Sequence, residues 1–98
     1  NQEDHVSMAT FAARRLAEMV GNTAVVVGIE AMAAAQGIEL KRGPRSSALL
    51  EAEFAAIRER VAFIDQDHFI APDIEAMRQW ARRSDWPAAL LDILPSRP

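Results

Sequence analysis

The chain opens on five polar residues, Asn1, Gln2, Glu3, Asp4 and His5, which are the first candidates for chemistry. A carboxylate such as Glu3 can accept a charge-assisted hydrogen bond or carry a proton, provided that a pocket partly desolvates it and controls its pKa. The alternative role is structural, because an acidic residue just before a helix interacts favourably with the positive end of the helix dipole. From the residues alone, the structural role is favoured.

Other ionisable residues form no convincing site. The carboxylate and imidazole groups at positions 3–5 could share a metal ion with those at 65–68, but consecutive residues point in different directions and neither group has the ligand spacing of a helix or strand face. No metal site is predicted. Glu30 is a lone charge in an apolar segment, where burial without a partner would be costly. We expect it to pair with Arg14, Arg15 or a group outside this chain.

The elements that must position these residues are helices. Apolar residues recur at spacings of three and four after Ser7, which predicts an amphipathic helix over residues 7–20 with Ser7 or Asp4 as its N-cap. Gly21 and Asn22 tolerate a left-handed C-cap, so the helix is expected to end there. Thr23 is then expected to cap a second helix over residues 23–36, which Gly37 ends.

The second predicted helix contains the main ambiguity. Val25, Val26 and Val27 are β-branched and suit a strand, whereas Ala24 and the alanines at 31–35 favour a helix, and the run is long for a strand. A helix is predicted. Because Glu30 is its only charge, the helix is apolar all round, and such a helix needs more neighbours than this chain offers.

Further helices are predicted over residues 48–63, 72–83 and, as a short one, 86–94. Ser46 or Ser47 can cap the first of these, and Pro72 suits the start of the next because its missing N–H is not needed there. Trp80 and Trp86 are expected to pack, and the basic residues at 41–45 to form a solvated loop. The prediction is an all-α fold of antiparallel helices, with residues 1–98 as one helical segment.

Composition limits the classes of function. A chain of 98 residues is one small domain at most, with a marginal core of its own. A net charge of −3 and a pI near 5.3 disfavour nucleic acid as a partner. The most apolar stretch, residues 23–35, is shorter than the roughly 20 residues of a membrane span, so no membrane partner is expected. The absence of cysteine is compatible with a cytoplasmic location, which we expect.

The opening segment Asn1-Gln2-Glu3-Asp4-His5-Val6-Ser7-Met8-Ala9 resembles the corresponding segment of bacterial histidine ammonia-lyases, within the aromatic amino acid ammonia-lyase family. The likeness covers residues 1–75, and the last twenty or so residues add little to it. Further matches at family spacings are Arg14, Arg15, Leu16, Glu18, Met19, Asn22, Thr23, Ile29, Glu30, Ala34, Ala35, Gln36, Gly37, Ser46, Ser47, Leu50, Glu51, Arg58, Glu59, Arg60, Val61, Asp65, Asp67, Phe69, Ile70, Ala71, Pro72, Asp73, Ile74 and Glu75. The resemblance implies the C-terminal part of a larger helical enzyme.

The resemblance also assigns roles to the opening residues. It places Glu3 in the active site, near the imidazole of the substrate, as a catalytic and substrate-binding carboxylate. Gln2 and Asn1 match the same motif and would line the pocket or orient Glu3, with an ordinary polar loop as the equal alternative. Asp4 is expected to cap a helix, and His5 to be a hydrogen-bonded polar side chain.

Enzymes that this chain resembles use the electrophile 4-methylidene-imidazol-5-one, which forms from an internal Ala-Ser-Gly tripeptide. None of the four glycines here follows a serine, so the electrophile cannot form in this chain, and the tyrosines on which the family relies are absent. The implied reaction removes ammonia from L-histidine to give trans-urocanate: the electrophile activates the amino group and a base takes the β-proton. This chain alone is predicted to be inactive.

The resemblance further implies a homotetramer of long helices with composite active sites. One departure is the set Ile64, Gln66, His68 and Ile70, where relatives often carry aromatic or arginine residues. Two alternatives stay open: a phenylalanine or tyrosine ammonia-lyase or aminomutase, and a helical oligomerisation module without catalytic activity. The intact Gln2-Glu3-Asp4 triplet favours histidine, because a carboxylate suits an imidazole better than a phenyl ring.

Overall fold

The computed structural model describes residues 6–41, 43–83 and 85–88. Three helices follow one another along the chain: α1 (Ala9–Leu40), α2 (Ala48–Arg58) and α3 (Ala71–Ala81). No strand occurs in these described ranges, and the predicted all-α class is confirmed. Of the short helix predicted over 86–94, residues 89–94 lie outside this description.

Helix α1 is continuous over 32 residues, so the predicted break at Gly21 and Asn22 is wrong. Neither residue adopts a positive φ, and the Thr23 hydroxyl, predicted to cap a new helix, donates instead to the Met19 carbonyl at 2.9 Å. Glycine and asparagine permit a left-handed cap without requiring one. A glycine inside a helix costs about 1 kcal/mol relative to alanine. A break would cost more, because two new helix ends would leave backbone N–H and C=O groups without their helical partners.

The valine triplet lies within α1, which confirms the helical prediction for this segment. Val26 and Val27 are exposed and Val25 is half-buried, whereas Ala24 and Gly28 are buried. The small residues are therefore the fully buried ones in this segment. Packing of the small-residue side holds the segment helical against the weak strand preference of its β-branched residues.

The continuous α1 also changes the membrane argument made from the sequence. It contains an 18-residue window of mean hydropathy 1.4, of which 22% is buried, and by length and composition alone it could cross a membrane. The apolar segment is therefore longer than predicted. A core helix of a water-soluble protein passes the same test, so the expected absence of a membrane partner stays a prediction.

Helix α2 begins as predicted and ends earlier. The Ser47 side chain accepts the Leu50 N–H at 3.4 Å, which confirms the predicted serine cap. The predicted extension to residue 63 is wrong, because the helix ends at Arg58 and the guanidinium of Arg58 donates to the carbonyls of Val61 and Ala62. The carbonyls of Val61 and Ala62 therefore have hydrogen-bond donors without a further helical turn.

Helix α3 covers residues 71–81 where 72–83 was predicted, a difference of the size expected at helix ends. Pro72 lies in its first turn, where no intrahelical partner for an N–H is required, and Asp73 follows at the positive end of the dipole. The sequence prediction for this helix start is confirmed.

The core lies between the second half of α1 and the other two helices, and α3 makes the larger contact with α1. Gly28 lets their backbones meet: a Cβ at this position would lie 2.8 Å from the Met77 carbonyl carbon and 2.9 Å from its oxygen. Glycine is therefore required at position 28 because the backbones of α1 and α3 approach closely there, and not because of its φ and ψ angles. The buried cluster comprises Met32, Ala35, Ile57, Val61, Met77 and Trp80.

Aromatic residues at the end of α3 close one side of this core. Trp80 is buried and meets Trp86 edge to face, with ring centroids 5.0 Å apart, so the predicted packing role of both is confirmed. The Arg83 guanidinium lies 4.0 Å from the Trp86 centroid and pairs with Glu53 of α2 at 2.5 Å. Arg83 thus ties the chain after α3 to α2.

Candidate functional site

The predicted site residues Asn1, Gln2 and Glu3, like Asp4 and His5, lie outside the described residues, and their roles stay predictions. The described chain begins at Val6, three residues before α1. The Ser7 hydroxyl accepts the Ala9 N–H at 3.4 Å, and the Met8 carbonyl accepts the Ala12 N–H at 2.8 Å. Ser7 or Asp4 was predicted to be the cap; the cap position falls on Met8, one residue after Ser7.

The electrostatics of this helix end suit a carboxylate placed before it. The first turn of α1 contains no acidic residue, so no side chain of the turn offsets the partial positive charge of the free N–H groups. Glu3 and Asp4 are the acidic residues that precede the turn in the sequence. The helix end favours the ionised form of a nearby carboxylate, which is the form that accepts a hydrogen bond from an imidazole N–H.

The helix that follows the motif in the sequence is exposed at its start. Every residue from 6 to 20 is exposed, and the first buried position of α1 is Ala24. At 1.5 Å per residue, Ala9 lies about 22 Å along the axis from Ala24. The described part of this chain therefore encloses no pocket around the start of α1, and other segments or subunits would have to supply one.

A cleft lies at the other end of α1. It has a volume of about 580 Å³ and is bordered by residues of α1, the loop before α2 and α2, among them Lys41 and Arg45. The Ser46 N–H, the backbone donor just before α2, is already bound by the Glu51 carboxylate at 2.9 Å. An anion would have to displace that carboxylate, which agrees with the predicted solvated loop.

Sequence reasoning missed a polar cluster that fixes the chain after α2. The Gln36 amide donates to the Ile64 carbonyl at 2.8 Å and accepts the Ile64 N–H at 3.1 Å. Arg58 donates to the same Gln36 oxygen at 3.4 Å and pairs with Glu39 at 2.9 Å. The partners are 19 to 28 residues apart, so no local sequence pattern could have indicated them.

The prediction about the partner of Glu30 has an outcome. Glu30 is exposed, and Arg15, fifteen residues away on the same helix, lies about 22 Å along its axis. Pairing of Glu30 with Arg14 or Arg15 of its own chain is therefore wrong, and a partner from outside the chain stays a prediction. In the described ranges, no group of three or more metal-binding side chains comes together.

Comparison with known proteins identifies what this chain is similar to. The aromatic amino acid lyase family profile matches residues 1–59. A histidine ammonia-lyase of Paracidovorax citrulli is 70% identical over 98% of this chain, and those of Photobacterium profundum and Bradyrhizobium diazoefficiens are 46% and 47% identical over 98% and 100% of it. The chain spans about a fifth of each relative's length, 19% in all three. No solved structure matches it.

Proposed function

The chain belongs to the aromatic amino acid lyase family, and on this premise we propose that it forms part of a histidine ammonia-lyase, which eliminates ammonia from L-histidine to give trans-urocanate. The observation that carries the proposal is the 70% identity to a histidine ammonia-lyase across 98% of the chain. In the elimination, the bond between Cα and the amino nitrogen breaks, the β-carbon loses a proton, and a carbon–carbon double bond forms.

Within that reaction, the task proposed for this chain is to bind the substrate. Glu3 accepts a hydrogen bond from the substrate imidazole and so orients the side chain whose neighbouring carbon loses the proton. Gln2 and Asn1 line the pocket or orient Glu3 through their amides. The absence of an acidic residue from the first turn of α1 supports an anionic role for the motif, because the helix end is left free to interact with it.

The family's electrophile, 4-methylidene-imidazol-5-one, does not fit the residues of this chain. Each of the four glycines follows a valine, glutamine or arginine, so no Ser-Gly step exists from which the group could form. The chain alone is accordingly expected to release no urocanate from L-histidine.

The proposal includes an assembly. A homotetramer would cover the first half of α1 with helices of other subunits and would complete the pocket around Glu3. Support comes from the side chains left uncovered there: Met8, Phe11, Leu16 and Met19 are each more than half exposed, which is unusual for large apolar side chains of one surface.

A chimera tests the function. The 98 residues of this chain replace the matching segment of the Paracidovorax citrulli relative, and ammonia release is measured with L-histidine, L-phenylalanine and L-tyrosine. We expect activity on L-histidine alone. Preference for phenylalanine or tyrosine would instead support the sibling lyase or aminomutase, and a folded chimera inactive on all three would favour the oligomerisation module.

Glu3 is tested in the same chimera. Glu3→Ala should lower kcat/KM for L-histidine by about a hundredfold or more, in the range of residues that orient a substrate or transfer a proton. Glu18→Ala is the matched control, since it removes an exposed carboxylate of α1 that lies outside the motif. Near-normal turnover of Glu3→Ala would remove Glu3 from the site.

A further inference from the structure

The connection between α2 and α3 is held at two separate places. Residues 61–64 are bound by the Gln36 amide, which has no ionisable group, and by the Arg58 guanidinium. Further along, His68 bridges two groups: its Nε2 lies 2.6 Å from Asp73 Oδ2 in the first turn of α3, and its Nδ1 lies 3.4 Å from the Gln66 carbonyl oxygen. The second attachment contains a group that titrates in the physiological range.

Both neighbours of the imidazole are hydrogen-bond acceptors. A carboxylate and a carbonyl oxygen can each receive an N–H, and neither can donate one. A neutral imidazole carries a proton on only one ring nitrogen, so it satisfies one neighbour and places a lone pair against the other. Only the imidazolium, which carries a proton on each nitrogen, satisfies the observed geometry in full.

We propose that His68 acts as a pH-dependent clasp. While its imidazole carries two protons, it holds residues 65–69 against the start of α3, and this segment is released when the imidazole loses one proton. The 61–64 attachment is unaffected, so the change is confined to the segment that carries Phe69, a side chain 80% exposed. The proposal is independent of the lyase reaction, since it uses none of the residues assigned to it.

Electrostatics set the direction of the response. Asp73 on α3 and Asp67 in the connection are the charged groups that act on the imidazole. The hydrogen bond to Asp73, followed by that to the Gln66 carbonyl, raises the pKa of His68 above its ordinary 6.5. Because the pKa of His68 is raised in the folded chain, the clasp contributes fully to the stability of this segment below pH 6.5. That contribution is lost as the pH rises through the raised pKa.

Hydrogen exchange on the full 98-residue chain tests the clasp. Between about pH 5.5 and about pH 8.5, the backbone amides of Asp73 and Ile74, which donate to the Ile70 carbonyl at the start of α3, should exchange about two- to fivefold faster than the intrinsic pH dependence predicts, as expected for loss of an exposed ion pair. The hydrogen-bonded amides of Val61 and Ile64 should show no such excess. An equal excess at both pairs of amides, or none at Asp73 and Ile74, would overturn the proposal.

Variants separate the clasp from general electrostatics. Asp73→Asn should abolish the excess and return the His68 titration, followed by NMR, toward 6.5, while His68→Gln should show the high-pH exchange rate throughout. The chain has two histidines, so His68→Gln also assigns the resonance. Glu75→Gln is the matched control, because the pKa of Glu75, lowered to about 2 by Arg78 and Gln79, keeps it charged over this range. If Asp73→Asn showed the same pH profile of hydrogen exchange as the unsubstituted chain, the proposed role of the His68–Asp73 contact would be contradicted.

Discussion

The two halves of α1 differ in composition and in surroundings. The second half, residues 24–40, buries Ala24, Gly28, Met32 and Ala35 against the other helices. The first half, residues 9–23, has no buried position, although Phe11, Leu16 and Met19 are larger and more apolar than most of the side chains that are buried. Burial within this chain therefore follows backbone proximity to α3 and not hydrophobicity alone.

The comparison also bears on the candidate site. The motif that contains Glu3 precedes the uncovered half in the sequence, and Ala9, the first residue of α1, lies about 22 Å along the axis from the first buried position. Binding groups gain precision when packed neighbours lock their supports. The helix that follows the motif is exposed from Ala9 to Val20, so the proposed function depends on the neighbours that other segments or subunits provide.

The largest predicted effect contrasts a methionine of the core with one of the uncovered half. Met77 packs on the second half of α1 and is 0% exposed, whereas Met19 is 57% exposed. Met77→Ala should lower the free energy of unfolding by about 2–5 kcal/mol through lost burial and a cavity. Met19→Ala should change it by no more than about 0.5 kcal/mol.

Urea unfolding followed by far-ultraviolet circular dichroism measures both variants. Comparable losses for Met77→Ala and Met19→Ala would mean that the first half of α1 is packed in solution, and the contrast between the halves would fail.

A smaller effect is expected from the two glycines of α1. Gly28→Ala would place a Cβ 2.8 Å from the Met77 carbonyl carbon, so α3 must move, at a cost of about 1–3 kcal/mol. Gly21→Ala meets nothing within 4 Å and should stabilise the helix by up to about 1 kcal/mol. Thermal unfolding midpoints should move in opposite directions, and a shared direction would show that helix propensity alone decides both.

Local signals in the sequence predicted local structure well. The Ser47 cap and the Pro72 start are confirmed because each depends on groups within one helical turn. The predicted break at Gly21 was wrong because a glycine shows only which conformations the backbone tolerates. The backbone stays helical there because a continuous helix keeps its hydrogen bonds.

Contacts between distant residues could not be predicted. The chain after α2 is fixed by Gln36, whose contacts with Ile64 and Arg58 are assembled by the fold. The need for glycine at position 28 arises only where α3 crosses α1. The family of the chain, by contrast, was predicted correctly from ordered residue matches, which preserve relatedness without revealing geometry. The positions of Asn1, Gln2 and Glu3 stay predictions.

The smallest effect on stability, and the sharpest test of the uncovered half, comes from a charge placed on it. Leu16 in the first half of α1 and Leu50 on α2 are 59% and 55% exposed. Leu16→Lys and Leu50→Lys should each change the free energy of unfolding by at most about 0.5 kcal/mol, because neither side chain is buried. If the first half is the surface through which copies of this chain associate, Leu16→Lys should shift the sedimentation profile toward monomer, while Leu50→Lys should leave it unchanged. Equal shifts of the sedimentation profile for both variants would mean that any exposed leucine promotes association. The two halves of α1 would then differ in burial but not in the partners they bind.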